Sequence, residues 1–180
     1  MIGIIGAMQV EVEHIKAVMT DVETEKISGI EFCRGKISGK DAVVAKCGIG
    51  KVFASVCAEA MILRYNPDVV VNIGVAGTLT DELNTTDIAV ARSVVHHDLD
   101  TSPLGDPAGL ISGINIINIE CDEKVSSLLE KCVKSLGINC KTGIIASGDQ
   151  FVCTTERKNF IRGTFNAIAC EMEGASIGHV

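Results

Sequence analysis

Short apolar runs that alternate with segments of helical length are the feature that most constrains the fold of this chain. Residues 2–5 are continuously apolar and residues 69–73 are apolar except for Asn72, which is typical of strands buried on both faces of a sheet. Between them, residues 51–65 form an apolar, alanine-rich segment that ends at Asn66-Pro67, as a helix would. Strands buried on both faces need helices on both sides, so the alternation predicts an α/β fold.

The remaining elements continue this alternation. Further strands are predicted at residues 30–37, 42–47, 88–95, 114–119, 143–146 and 167–170. Helices are predicted from the spacing of Met8, Val12, Ile15 and Met19, from the amphipathic run between Val125 and Leu136, and from Met172 onward. We therefore expect residues 1–180 to form a single domain, a three-layer α/β/α sandwich around a central mixed sheet.

Composition excludes several classes of partner. The net charge is −7, which argues against binding to nucleic acid or to an anionic membrane surface. No apolar run reaches the length of a membrane span, and the N-terminus lacks the basic segment of a signal peptide, so we expect a cytoplasmic protein. The chain contains eight cysteines without a CxxC pair, and we expect them to be reduced, buried side chains.

Unusual residues follow five of the predicted strands. Ligands of such folds collect beyond the carboxyl ends of the strands. The five segments are residues 6–11, 48–51, 74–77, 147–151 and 171–174. Taken alone, the glycine-rich segments are also explained as tight turns and Glu11 as a solvated helix residue. Glu171 and Glu173 are harder to explain structurally, because an apolar strand leads directly into them.

A metal site is not expected. His96-His97-Asp98 lacks the helical spacing of paired histidine ligands, and no third cluster of ligands accompanies it. The region from His96 to Gly113 is the longest without a periodic pattern, which is typical of a functional loop.

Together and in order, these segments resemble the 5′-methylthioadenosine/S-adenosylhomocysteine nucleosidases of the nucleoside phosphorylase superfamily. The matching stretches are Ile4-Ile5-Gly6-Ala7-Met8 with Glu11, Cys47-Gly48-Ile49-Gly50-Lys51-Val52, Asn66-Pro67-Asp68, Asn72-Ile73-Gly74-Val75-Ala76-Gly77, Asp87-Ile88, His97-Asp98 with Asp100, Ser147-Gly148-Asp149 with Phe151, and Glu171-Met172-Glu173. The resemblance implies a phosphorylase/hydrolase-like fold and hydrolysis of the bond between adenine and a 5′-thio-substituted ribose, in methionine salvage and S-adenosylmethionine recycling. It implies a cytoplasmic homodimer that needs no cofactor.

The resemblance also implies roles for individual residues. Glu11 matches the general base that activates water, and Glu173 matches the residue that holds the ribose diol, with Glu171 in support. Met172 would pack against the sugar. The other implied contacts are Phe151 and the Val152 backbone with adenine, Val75, Ala76 and Gly77 near the base, and Ile49 with the 5′-thio substituent.

The sequence departs from the family pattern in two places. The loop that closes the thio-substituent pocket from the partner subunit often carries aromatics, whereas residues 101–108 have none and offer only Leu104. The family also continues beyond the helix predicted at Met172 with a strand, a Ser-Asp motif and a final helix. The aspartate of that motif is the general acid, and no residue of this chain matches it. We therefore expect a C-terminally shortened fold, without the last strand and helix, that is weakly active or inactive.

Three other functions remain open from the sequence. The same fold supports purine nucleoside phosphorylases, although Glu11 disfavours a phosphate pocket at that position. It also supports hydrolysis of other nucleosides, such as futalosine. A non-catalytic relative that only binds nucleosides is the third alternative.

Overall fold

The strands of this protein are hydrogen-bonded in two five-stranded mixed sheets rather than in one. The computed structural model describes residues 1–180 and divides them into two compact units. The first unit comprises residues 1–75 together with Val180, and the second comprises residues 76–179. Each unit contains one of the sheets and its own helices. The α/β class with mixed strand pairing is confirmed, and the predicted central sheet is refined into two sheets.

The first unit is built around strand β1, which lies between two parallel neighbours. The sheet order is β2-β3-β4-β1-β5, in which β1 pairs in parallel with β4 and β5 while β2 and β3 add an antiparallel edge. The elements are β1 (Ile2–Gly6), α1 (Gln9–Ala17), β2 (Thr20–Ile27), β3 (Ile30–Ile37), β4 (Lys40–Lys46), α2 (Lys51–Tyr65) and β5 (Val69–Asn72).

Helix α1 packs through the apolar face that its sequence predicts. Val12 is fully buried and contacts a cluster that includes Met19, Cys33 and Val44, with Ile15 packed alongside. The helix ends at Ala17, so Met19 contributes to this core from just beyond it. Helix α2 spans the predicted residues, and its C-cap Asn66 adopts a left-handed conformation before Pro67.

Strand β2 is missing from the sequence prediction. Its sequence Thr-Asp-Val-Glu-Thr-Glu-Lys-Ile is mostly charged and polar, and nearly all of its side chains are exposed. The strand exists because it pairs with β3 at the sheet edge, where charged side chains also discourage pairing with other chains.

The second unit repeats the arrangement of three parallel strands. The sheet order is β6-β10-β9-β7-β8, in which β9 pairs in parallel with both β10 and β7 and the two outer strands are antiparallel. The elements are β6 (Gly77–Thr78), β7 (Ile88–His96), a 3-10 turn (Ser102–Leu104), β8 (Ile119–Glu120), α3 (Glu123–Ser135), β9 (Cys140–Ser147), α4 (Thr155–Phe165), β10 (Ala167–Glu171) and α5 (Gly174–His179).

Two sequence predictions in this unit are corrected, and one helix was missed. The strand predicted at 114–119 is wrong, because Asn115 has a positive φ of 56° and only the residues from Ile119 pair with β7. The last helix begins at Gly174 rather than at Met172. Helix α4 was not predicted, because its polar sequence has little apolar periodicity; Thr154 caps it by accepting a hydrogen bond from the Arg157 N–H.

The cysteines are all free thiols but are not all buried. Cys33, Cys47, Cys57 and Cys170 are buried, and Cys121 and Cys140 are half-buried. The prediction of burial is wrong for Cys132 and Cys153, which are exposed, the first on α3 and the second in the loop before α4. Burial raises the pKa of the Cys57 thiol to about 12.

These differences predict the order in which the thiols react. With a thiol-specific alkylating reagent at pH 8, we expect Cys132 and Cys153 to be modified first and Cys57 last, because the thiolate is the nucleophile. Peptide mass spectrometry of samples quenched at intervals measures each rate. In urea all eight cysteines should react at similar rates. Rapid modification of Cys57 in the folded protein would contradict the structure.

Candidate active site

The sequence-predicted residues fall into both units. Glu11, Ile49 and Val75 belong to the first unit. The second unit contains Ala76, Gly77, Leu104, Phe151, Val152, Glu171, Met172 and Glu173.

In the first unit, the turns after β1, β4 and β5 lie side by side at the carboxyl ends of these strands, because the strands are parallel neighbours. Backbone hydrogen bonds continue past the strand ends: the Cys47 N–H donates to the Gly6 carbonyl at 2.9 Å, and the Gly48 N–H donates to the Ala7 carbonyl at 3.1 Å. The Ile73 N–H likewise donates to the Ile5 carbonyl at 2.9 Å. The predicted residues after these strands are therefore held on ordered backbone.

The Glu11 carboxylate accepts hydrogen bonds from three backbone N–H groups. Its Oε2 accepts from Ala7 at 2.8 Å and from Met8 at 2.9 Å, and its Oε1 accepts from Val75 at 3.0 Å. The first two bonds are typical of a glutamate in the first turn of a helix that satisfies N–H groups before the helix. The bond from Val75, which is 64 residues away in sequence, is not explained by helix capping.

Gly74 is needed for this close approach. A Cβ atom at Gly74 would lie 2.7 Å from Glu11 Oε1, well inside van der Waals contact. The side chain of Glu11 is half-buried against this turn. The carboxylate is therefore fixed in position by both hydrogen bonds and sterics.

The two oxygens of Glu11 differ in what they can still bind. Each carboxylate oxygen has two acceptor positions. Oε2 uses both for Ala7 and Met8, whereas Oε1 uses one for Val75. Oε1 can therefore accept a further hydrogen bond, or a proton, from a water or hydroxyl group. Ile49 and Val75, both more than half exposed, can contact a ligand in the same unit.

In the second unit, the parallel register of β9 and β10 places Ser147 beside Glu171. The fully buried Ser147 hydroxyl donates to Glu171 Oε1 and accepts from the Ala175 N–H at 2.7 Å. Glu171 Oε2 accepts from the N–H groups of Glu173 at 2.8 Å and Gly174 at 2.7 Å. Glu171 and Ser147 together fix the chain at the start of α5.

This network explains why the last helix begins at Gly174. Residues 172 and 173 form a bend, and the N–H groups of Glu173 and Gly174 donate to the Glu171 carboxylate just before the helix. The Glu173 side chain is only 8% exposed and Met172 is half-buried. Glu171 therefore orients the backbone that carries Glu173, while the ribose contact of Glu173 stays a prediction.

The other predicted residues of this unit differ widely in exposure. Phe151 and Leu104 are 86% and 84% exposed, and Ala76 is exposed as well. Val152 packs against a buried cluster, and Gly77 pairs with Cys170 at the edge of the sheet. The exposed side chains are available to a ligand or a partner chain, while Val152 and Gly77 belong to the framework.

Sequence reasoning included Ser147 in a candidate segment but gave it no role, and its register beside Glu171 shows that role. It missed Arg157, for which the sequence carries no signal: its Nη2 lies 3.2 Å from His97 Nδ1, a contact between residues 60 positions apart.

No group of three or more His, Cys, Asp or Glu side chains is arranged to hold a metal ion. None of the helices combines the length and hydrophobicity of a membrane span.

The Glu171 network predicts different costs for two substitutions. Glu171→Ala removes the acceptors of the Ser147 hydroxyl and two N–H groups, and we expect it to lower the free energy of unfolding by about 2–4 kcal/mol. Glu171→Gln has the same shape, and its amide oxygen can still accept from the two N–H groups, so we expect a loss of about 1 kcal/mol. Urea unfolding followed by circular dichroism measures both. Equal losses for the two variants would show that the hydrogen bonds to Glu171 do not stabilise this region.

Comparisons with known proteins identify the family. Residues 1–180 match the family model of the phosphorylase superfamily. A 5′-methylthioadenosine/S-adenosylhomocysteine nucleosidase of Shewanella loihica is 41% identical over 181 aligned positions, which cover 99% of this chain and 78% of that protein.

Two solved structures from Helicobacter pylori are similar over 99% of this chain. One is a mutant nucleosidase with 5′-methylthioadenosine in its active site, with a TM-score of 0.94, 39% identity and 77% of that chain covered. The other is a futalosine hydrolase, also with a TM-score of 0.94 and 39% identity, of which 76% is covered. The phosphorylase-like fold is thus confirmed, and the chain belongs to the 5′-methylthioadenosine/S-adenosylhomocysteine nucleosidase family of the phosphorylase superfamily.

Proposed function

We propose that this protein hydrolyses the N-glycosidic bond of 5′-methylthioadenosine and S-adenosylhomocysteine, releasing adenine and the thioribose. The observation that carries the proposal is the Glu11 carboxylate, which three N–H groups orient while Oε1 keeps an acceptor position. The similarity to named nucleosidases over nearly the whole chain supports the substrate class.

Glu11 is proposed as the general base. Breaking the bond between ribose and adenine leaves positive charge on the sugar, and the leaving base takes the electron pair together with a proton from the solvent. Water then forms the new C–O bond at the sugar and gives its proton to Glu11 Oε1, which returns it to the solvent. A fixed carboxylate avoids the cost of reorienting the base in the transition state.

Glu173 is proposed to hold the ribose diol by accepting its hydroxyl protons in hydrogen bonds. Its low exposure means that its negative charge would be weakly screened and would stabilise positive charge on the sugar. Met172 is proposed to pack against the sugar and Glu171 to support both residues through the bend that it orients.

The remaining contacts follow the chemistry of the ligand. The exposed ring of Phe151 offers a stacking surface for adenine, with the Val152 backbone at the edge of the base. Val75, Ala76 and Gly77 are proposed to lie near the base and Ile49 near the thio substituent. Leu104 is proposed to complete that apolar pocket from a partner subunit, which requires a homodimer. We place the reaction in the cytoplasm, within one nucleosidase domain formed by residues 1–180.

Futalosine is a second candidate substrate, because a futalosine hydrolase is as similar to this chain in fold and sequence as a nucleosidase is. Both reactions break the same type of bond, so Glu11 and Glu173 would keep their roles. The test measures the rate of base release from methylthioadenosine, S-adenosylhomocysteine and futalosine, each with and without phosphate. The relative rates show which of the three is a substrate. Dependence on phosphate would indicate a phosphorylase, and binding without turnover would indicate a non-catalytic relative.

The proposal predicts the effect of one isosteric substitution. Glu11→Gln keeps the shape of the side chain but cannot take a proton from water, so we expect base release to fall by about 10²–10⁴-fold. The affinity for methylthioadenosine, measured by calorimetry, should change by less than about threefold, because the substitution does not remove a ligand contact.

The matched control is Glu13→Gln, an exposed residue of the same helix. It carries the same change of charge, and we expect it to retain the activity of the parent chain. An unchanged rate of base release in Glu11→Gln would sink the assignment of Glu11 as general base.

A further inference from the structure

One contact in the second unit ties together the two ends of the segment that carries Phe151. Residues 148–154, the 148–154 segment below, connect β9 to α4. Arg157 lies in the first turn of α4, and its Nη2 lies 3.2 Å from Nδ1 and 3.3 Å from the carbonyl oxygen of His97. His97 directly follows β7, the strand that pairs with β9. Arg157 therefore ties the far end of the segment back to the sheet.

His97 and its neighbour also hold the near end of the segment. The His97 N–H donates to the Ser147 carbonyl at 2.9 Å, and the Asp98 carboxylate accepts from the Asp149 N–H at 2.8 Å. The imidazole lies directly against Gly148, where any Cβ atom would clash with the ring. One histidine therefore contacts the start of the segment and, through Arg157, its end.

The chemistry of the contact gives it a direction. A guanidinium group can only donate hydrogen bonds, so His97 Nδ1 acts as the acceptor in this contact. The Arg157 guanidinium also lies over the Phe160 ring, 4.9 Å from its centroid, which restricts its movement. His97 is only 3% exposed, so water competes weakly for this contact.

We propose that Arg157 is a positioning residue for recognition of the nucleobase. By holding His97, it fixes the backbone of the 148–154 segment and thereby the Phe151 ring and the Val152 backbone. The inference rests on the proposed function, in which these two residues contact adenine. Phe151 is 86% exposed, so its own contacts do not fix it and its position depends on the backbone that carries it.

A purely structural role for Arg157 makes a different prediction. If Arg157 only stabilised α4, its loss would weaken the whole unit and affect all parts of a ligand alike. If it positions the 148–154 segment, its loss selectively weakens binding of the base. Comparing the change in affinity for the base with the change in affinity for the sugar therefore distinguishes a structural role from a positioning role.

The test compares Arg157→Met with Arg162→Met in the full chain. Methionine keeps an apolar stem beside Phe160 and removes the guanidinium, and Arg162 is an exposed arginine of the same helix that serves as the control. Calorimetry measures the affinities for methylthioadenosine, adenine and 5-methylthioribose. For Arg157→Met we expect adenine and methylthioadenosine to bind about tenfold more weakly, while methylthioribose binds unchanged. Arg162→Met should leave all three unchanged.

Amide hydrogen exchange without ligand provides a second readout that does not depend on the function. We expect the peptide covering residues 148–153 to exchange about tenfold faster in Arg157→Met, because opening of the segment becomes easier. The β9 peptide should exchange at the parental rate. If Arg157→Met does not fold, Arg157→Lys replaces it, because lysine keeps the charge but not the planar fork. We then expect the affinities for adenine and methylthioadenosine to fall selectively by about threefold.

The outcomes separate the two levels of the argument. A parent chain that binds none of the adenine compounds overturns the proposed function and this inference with it. A parent chain that binds them, with a variant that binds them equally well, overturns only the inference. So does an equal loss of affinity for base and sugar, or unchanged exchange of residues 148–153.

Discussion

Parallel pairing of three adjacent strands is the constraint on which both units depend. In the first unit β4, β1 and β5 run in parallel, and in the second β10, β9 and β7 do so. Parallel neighbours bring their carboxyl ends to one edge of the sheet, so residues far apart in sequence become neighbours there. The Glu11–Val75 bond and the Ser147–Glu171 bond are both consequences of this pairing.

The carboxylates of Glu11 and Glu171 make the same kind of hydrogen bond but serve different purposes. Both accept hydrogen bonds from backbone N–H groups, which cannot turn away as side chains can. The bonds of Glu171 shape the bend that follows it and involve a fully buried serine, so this residue organises the chain. Glu11 lies in the first turn of α1 against Gly74, whose lack of a Cβ leaves room for the carboxylate, and one of its oxygens keeps an acceptor position. That difference is the physical basis for proposing that Glu11 takes part in the chemistry and that Glu171 supports it.

The sequence was informative wherever one local signal decided the structure. Helix α2 was predicted to the residue, because its apolar run meets a proline two residues after it ends. Helix α3 was predicted from its apolar periodicity, and its N-cap Asp122 accepts a hydrogen bond from the Val125 N–H. Prediction failed where pairing with a neighbouring strand, and not the local sequence, decides whether a strand forms. The charged strand β2 exists only through β3, and the apolar residues 114–119 lack a neighbouring strand over most of their length. For the candidate active site, the segments at the strand ends were identified from the sequence pattern, while the proposed roles of their residues came from the family resemblance.

By itself, the sequence determined the class of fold and the candidate segments that follow the strand ends, including their acidic residues. These are consequences of hydrophobic periodicity and of strand ends, which are local properties. Only the tertiary structure decided that the strands form two sheets, that Glu11 accepts a bond from Val75, and that Glu171 binds Ser147. It alone revealed the contact between Arg157 and His97. Such contacts join residues that are 24 to 64 positions apart, and their geometry depends on strand register, which no local pattern specifies.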